Sequence, residues 1–213
     1  MKIVCLANSF REGGRCLGGV ALNNNNKPIF ENNRPKWIRP VCNTEHHEVP
    51  ANLVSHIQLL DIIEFDFVKN AGSKHQTESV LFNEKSIKVT GKFPQDDLMN
   101  ICENSNFTKL FGNKGKAVPE DAISSLSYSL LLAYADDFEI NIKTYEEKQY
   151  PQIRLSFRFN DILYDLPITD PDFLHKYQSN NGVLDNSNKI FISLSLAAPY
   201  KDWYYKLIAG IIY

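Results

Sequence analysis

The sequence predicts a mainly β chain with a few short helices, a β-rich α+β class built as two small barrels or sandwiches joined by a helical connector. Three observations carry this. Short strand-like stretches are punctuated by Gly, Asn and Pro along most of the chain. Leu155, Phe157 and Phe159 alternate with Arg154, Ser156 and Arg158, the period-two pattern of a half-buried sheet. Helix signals are concentrated in the middle, so the order is strands, helices, strands.

Taken in order, residues 2–8 read as the first strand and 9–15 as a turn region. Residues 16–22 read as a second strand containing Gly18-Gly19. Glycines inside a strand signal a bulge or the close approach of another group. Asn23 to Asn26 form a polar loop, and 37–41 a short extended piece made irregular by Pro35 and Pro40. Residues 59–68 give the clearest strand of the first half, with shorter ones over 76–82 and 86–90. Asp96-Asp97 open a helix with Leu98, Ile101 and Cys102 on one face, since acidic residues suit the positive end of the helix dipole. The polar stretch 104–116 reads as a connector. Pro119-Glu120-Asp121 starts a second helix, with Ile123 and Leu126 on its apolar face.

In the second half, 129–134 is an apolar strand, and Phe138, Ile140 and Ile142 alternate with polar residues. Asn160-Asp161 is a tight turn into a strand over 162–168. Asp170-Pro171 is an N-cap and first-turn pair for a short helix ending near Tyr177. Residues 190–196 and 204–213 supply the last strands. The expected division is 1–94 for the first barrel, 95–127 for the connector and 128–213 for the second barrel.

Composition limits what the chain can be. Of 213 residues, 43% are hydrophobic and 23% charged, which excludes disorder of the whole chain. No apolar run approaches the roughly 18 residues of a membrane span. The opening residues are too weakly apolar for a secretory signal. A cytoplasmic protein with no membrane partner is the expectation. The net charge of −2 argues against a surface uniformly coated in cation. The charge is uneven, however. Residues 1–40 hold 7 Lys and Arg against 2 Asp and Glu, and four of the six arginines (Arg11, Arg15, Arg34, Arg39) lie there. Arginine favours planar, bidentate contact with phosphate or carboxylate. These arginines therefore either meet an anionic ligand or pair with acidic residues of the same fold.

The stretch 8–19 holds Gly13, Gly14, Gly18 and Gly19 between Arg11 and Arg15. Such glycines let backbone amides approach an anion, and flanking arginines neutralise it. The spacing matches neither a P-loop nor a dinucleotide fingerprint, and a plain turn with a bulge explains it equally. Trp37-Ile38-Arg39-Pro40 would stack on a base and hold a phosphate if exposed, whereas a buried Trp37 is simply core. Arg154 and Arg158 share a sheet face and either track a phosphate backbone or pair with Asp161, Asp165 or Glu147. Cys5, Cys16, Cys42 and Cys102 have no metal or redox spacing and read as reduced, structural thiols, Cys5 and Cys16 within strands. Asp61, Glu64 and Asp66 do not form a clear triad on one strand. His46-His47 beside Glu45 and Glu48 read as exposed loop residues. No hydrolase or metalloprotease motif occurs, so catalysis is not expected. A nuclease built from carboxylates that meet in space stays open as a minor alternative.

Several pieces recur in a set order: 2–9 with Cys5-Leu6-Ala7-Asn8, Gly13-Gly14-Arg15-Cys16-Leu17-Gly18-Gly19, Trp37-Ile38-Arg39-Pro40, Leu60 to Phe65, His75-Gln76-Thr77-Glu78, Leu166 to Pro171, and Tyr205 to Ile212. In this order the chain resembles the prokaryotic dual OB-containing domain family over nearly its whole length. The resemblance implies two OB-type barrels and a nucleic-acid or nucleotide recognition role, associated with anti-phage defence and with partner proteins of the same locus. It supplies no catalytic residue and no cofactor. Its motif positions here are Arg11, Gly14, Arg15, Gly18, Trp37, Arg39, His75, Gln76, Asp170 and Lys206. The expected function is binding of single-stranded nucleic acid. Arg11, Arg15 and Arg39 would contact phosphate, Trp37 would stack, and Gly14, Gly18, His75, Gln76, Arg154 and Arg158 would lie on the ligand face. A pocket for a small nucleotide or other anion, or a protein–protein adaptor, are the alternatives.

Overall fold

A computed structural model describes residues 1–146, 149–185 and 187–213. The first half is built of β1 (Lys2–Arg11), β2 (Gly14–Ala21), β3 (Phe30–Glu31), β4 (Arg34–Pro35), β5 (Trp37–Val41), the short helix α1 (Ala51–Val54), β6 (Asp61–Glu64), β7 (Phe67–Asn70), β8 (Ser79–Phe82) and β9 (Lys88–Lys92). The connector holds two 3₁₀ turns (Gln95–Ile101 and Leu110–Gly112), then β10 (Ala117–Pro119) and α2 (Glu120–Ile123). The second half comprises β11 (Leu130–Ala135), β12 (Phe138–Lys143), β13 (Gln152–Phe159), β14 (Ile162–Pro167), α3 (Pro171–Ser179), β15 (Ile190–Tyr200) and β16 (Trp203–Ile212).

The first sheet runs β7-β8-β5-β2-β1-β6-β9. Its centre is the β1–β2 hairpin, which departs from the expected turn over 9–15. β1 continues to Arg11 and only Glu12-Gly13 turn, with Gly13 at φ 78. Opposite Gly18-Gly19 the register shifts between Cys5 and Ala7, and an added Cβ on Gly19 would lie 2.0 Å from the Val4 carbonyl oxygen. The internal glycine therefore marks a close backbone approach. The expected strand over 59–68 is broken into β6 and β7. Phe65 still follows the β1 register, exchanging backbone bonds with Met1, and the next amide, of Asp66, leaves the ladder for the Ser86 hydroxyl. Asp66 thus lies off the strand. Asp61 pairs with Lys92, and Glu64 with Lys2 and Lys88.

The second half has a four-stranded sheet, β10-β16-β15-β11, and a three-stranded one, β12-β13-β14. Leu155, Phe157 and Phe159 all point inward, as their alternation requires. Burying each side chain is worth roughly 1.5–3 kcal/mol. Asn160 and Asp161 both take positive φ in the β13–β14 turn, the conformation that favours Asn and Asp in tight hairpins. Asp170 caps α3, accepting from the Asp172 and Phe173 amides, with Pro171 at the first helical position. Its other oxygen accepts from the Ile211 amide, which ties the helix to β16.

One apolar cluster fills the first half around Ile3, Cys5, Ile38, Ile63 and Phe65. A second fills the other half and takes in Leu110, Phe111, Val118 and Ile123 of the connector. A third is shared: Val4, Leu6, Val20 and Trp37 meet Leu98, Ile101, Leu130, Leu132, Phe191 and Ile212. The chain is mainly β, and apolar side chains from both halves seal the seam between them.

Candidate functional site

The seam holds a polar network as well as apolar side chains. Arg39, on β5, is fully buried. Its Nε and Nη2 lie 3.4 and 3.3 Å from Glu78 Oε1, and Glu78 leads into the neighbouring parallel strand β8. Nη2 also donates to Ser129 Oγ at 2.8 Å and Ser195 Oγ at 3.3 Å, both from the second half. Nη1 donates to Cys16 Sγ, and the Ser129 hydroxyl donates to Glu78 Oε1. A guanidinium in this position satisfies four partners from four other segments of chain, which makes it a joint between the halves rather than an open anion site.

A second buried carboxylate serves the other end of the seam. Glu103 accepts from Arg34 Nε and Trp37 Nε1 at 2.8 Å each, and from the Leu132 amide at 3.2 Å. The Arg34 guanidinium lies over the rings of Phe107 and Tyr128. Burial pushes the Glu103 carboxyl up, and the Arg34 charge and the hydrogen bonds pull against that.

Two expectations are corrected here. Trp37 is only 7% exposed and its indole N–H is taken by Glu103, so it is not a stacking platform. Arg39 is enclosed and paired, so it does not meet a phosphate from solvent in this conformation. Neither Glu78 nor Glu103 announces itself locally, because each partner lies far along the chain. Arg154 takes the paired alternative, bonding Asp165 at 2.8 Å. Exposed Arg158 pairs with Asp137 and donates to the Asp161 carbonyl. Glu147, the other partner considered for these two, lies outside the described residues. Gly18 packs against Leu130 of the second half, and Gly14 approaches the Val49 carbonyl, so both glycines have structural reasons. Buried Lys206 donates to Asn113 at 2.8 and 2.9 Å, and burial pulls its ammonium down to about 7.

What remains open is a cleft of about 490 Å³ lined by residues 9–12, Cys16, Arg39, residues 45–47, Gln76 and residues 195–199. Arg39 is its floor. Arg11 stands at the rim, and the next residue back, Phe10, is 56% exposed. The Arg15 guanidinium sits 4.9 Å from the Phe10 ring centre, and its Nη1 is buried without a hydrogen-bond partner. Cys16 is partly exposed here rather than a core thiol. Gln76 is buried and donates to the Leu196 carbonyl. His75 packs on Tyr204, with ring centres 4.9 Å apart. Burial, then the Arg39 and Arg11 charges, lower its pKa, so it favours the neutral form. Past the cleft, β15 and β16 project a hairpin whose tip carries exposed Tyr200, Lys201 and Trp203. His46 and His47 are at the cleft edge. Among the described residues, no three His, Cys, Asp or Glu side chains gather as a metal site.

Two strand-rich units joined by a shared apolar cluster and by hydrogen bonds from a buried arginine, with an open cleft at their seam, define a paired-barrel protein of the OB class. The chain belongs to the dual OB-containing domain family, whose model matches residues 1–211. No curated protein matches it. One similar solved structure was reported as "Molecular basis for abrogation of activation of pro-inflammatory cytokines". It has a TM-score of 0.35 and 10% identity, covering 100% of this chain and 90% of that one. Another is a replication protein A heterotrimer bound to ssDNA, with a TM-score of 0.34 and 10% identity, covering 92% of this chain and 44% of that one. Both are too distant to bear on function. Among the described residues no helix is long and apolar enough to cross a membrane.

Proposed function

We propose that this protein binds single-stranded nucleic acid along the rim of the Arg39 cleft, with Arg11 and Arg15 on phosphates and Phe10 against a base. The observation that carries the reading is the pairing state of the arginines. Arg34, Arg39, Arg154 and Arg158 are each held by a carboxylate. Arg11 and Arg15 have no ion-pair partner among the described residues, and they flank an exposed aromatic ring. Cations beside stacking faces are what a single strand requires. The aromatic tip at Tyr200 and Trp203, with Lys201 over the Tyr200 ring, extends the same chemistry beyond the cleft. OB barrels commonly place ligand-binding loops in such positions. Few phosphates are neutralised, so affinity is modest and falls with salt. The division into barrels at 1–94 and 128–213, a cytoplasmic location and a role in prokaryotic defence belong to this proposal as well, the last resting on family resemblance alone.

Replacing Arg11 and Arg15 by Ala tests it directly. Single-strand binding should fall across sequences while the fold persists. Unchanged binding would remove the assignment. One feature favours a second reading, a pocket for a small nucleotide or other anion. The cleft volume lies within the 300–1,000 Å³ typical of small-ligand sites. Thermal melting with a nucleotide panel separates the two.

A further inference from the structure

An edge strand with free amides and carbonyls is a template for another strand, and most edges here are protected against that. β9 carries Lys88, Gly91 and Lys92 and pairs through a register shift. β7 has a similar shift beside Lys69, and β10 is three residues ending in Pro119. β14 carries Pro167 and leads into the Ile168–Ile208 bridge to β16. The edge of β11 is occupied: Glu103 bonds both backbone groups of Leu132, and the Asn104 side chain bonds both of Tyr134. β12 has none of these protections. It ends its sheet and pairs with β13 alone. The Arg158 amide donates to the Asp137 carbonyl, which fixes the phase of the ladder. Glu139, Asn141 and Lys143 therefore turn their backbone groups toward β13, and Phe138, Ile140 and Ile142 turn theirs outward. Among the described residues no other segment bonds those outward groups. Phe138 and Ile140 are half-buried, and Ile142 is 58% exposed. A cleft of about 430 Å³ opens beside the strand, with Phe138 and Ile140 on one side and Tyr177 and Leu184 on the other.

We propose that β12 is a dimerisation edge, pairing antiparallel with β12 of a second copy of this chain about a two-fold axis at Ile140. The strand is complementary to itself in that register. Ile140 meets Ile140, and Phe138 meets Ile142 twice, so all three outward residues pair and about six backbone hydrogen bonds form, two to each pair. The half-covered apolar stripes of the two copies come side by side. On the other face Asp137 stands opposite Lys143, and Glu139 opposite Asn141. The exposed pairs that Asp137 and Lys143 make now, with Arg158 and Asp165, are weak and readily shared. A shift of two residues either sets Glu139 against its own copy or pairs Phe138 with Thr144, outside the strand. The proposal is independent of nucleic-acid binding at the Arg11 rim, since no residue of β12 lines that cleft.

Sedimentation velocity of the full chain over a concentration series tests this. The parent should pass from monomer to dimer as concentration rises. Ile142→Lys should stay monomeric: the residue is exposed in a single copy, so the fold persists, but its ammonium would be pressed against Phe138 of the second copy. Lys143→Asp sets like charges opposite each other twice per dimer and should raise the dissociation constant about tenfold. Adding Asp137→Lys restores opposite charges in this register alone and should recover the parental constant. Thermal melting of each variant confirms that the fold is retained. A parent that is monomeric at every concentration, a dimer that survives Ile142→Lys, or a Lys143→Asp defect that Asp137→Lys does not rescue would each overturn the proposal.

Discussion

The Arg39 guanidinium and the Glu78 carboxylate lie 3.3 Å apart, both buried, with a cleft on either side of them. Arg39 floors one cleft and Glu78 walls the other. The pair also reaches Ser129 and Ser195, so the contact that joins the two halves is the partition between their open spaces. Removing one partner leaves the other charged and dry. Arg39→Ala should destabilise the protein by about 3–5 kcal/mol. Arg158→Ala, which breaks an exposed pair, should change stability by about 0–1 kcal/mol. Urea denaturation of the two variants side by side measures the contrast, and equal losses would refute the role given to the buried pair.

The rim arginines should behave differently. Arg11→Ala with Arg15→Ala should leave the melting temperature within a few degrees of the parent. Each lost phosphate contact should reduce the slope of log affinity against log salt by about 0.7 for a single strand. Binding isotherms at several salt concentrations read this out, and a double variant with the parental slope would show that neither side chain meets phosphate.

Lys206 gives a pH signature. Burial lowers its ammonium from 10.5 to about 7 in the folded chain. Between those values the unfolded chain binds the extra proton, so this residue makes stability rise with pH across that window. Lys206→Met abolishes the contribution. The stability of the variant relative to the parent should therefore be greatest near pH 7 and shrink toward pH 10. Denaturant midpoints at three pH values across that range test it, and a constant difference would contradict it.

Gly19 and Gly91 form a matched pair of glycines in the same sheet. A Cβ on Gly19 would meet the Val4 carbonyl oxygen at 2.0 Å, whereas on Gly91 its nearest neighbour is 3.8 Å away. Gly19→Ala should lose about 1–3 kcal/mol or more, and Gly91→Ala should stay within about 0.5 kcal/mol. Comparable melting curves for both would contradict the close approach of β1 and β2.

How much of this was legible depended on whether the cause was local. The alternation around Phe157, the Asn160-Asp161 turn and the Asp170-Pro171 cap are set by neighbours in sequence, and all three stand in the structure. Gly18-Gly19 signalled close approach correctly, because only a missing side chain permits it. The break between Glu64 and Phe67 was hidden, since it depends on the distant Ser86 hydroxyl taking the Asp66 amide out of the ladder. The site was less legible still. Trp37 and Arg39 looked like ligand-facing residues because their partners, Glu103 and Glu78, lie 66 and 39 residues away. The same long-range pairing that buries them leaves Arg11 and Arg15 as the unpaired cations. No pattern within residues 1–40 separates the two sets.

The most direct test of single-strand binding is fluorescence anisotropy of the full chain with labelled single-stranded DNA, single-stranded RNA and duplex DNA at two salt concentrations. Salt-sensitive binding to a single strand is expected, with weaker binding to the duplex, and with both the affinity and its salt dependence reduced in the Arg11→Ala, Arg15→Ala variant. Binding that is absent for all three nucleic acids with folded protein, or that survives the double substitution unchanged, would contradict it.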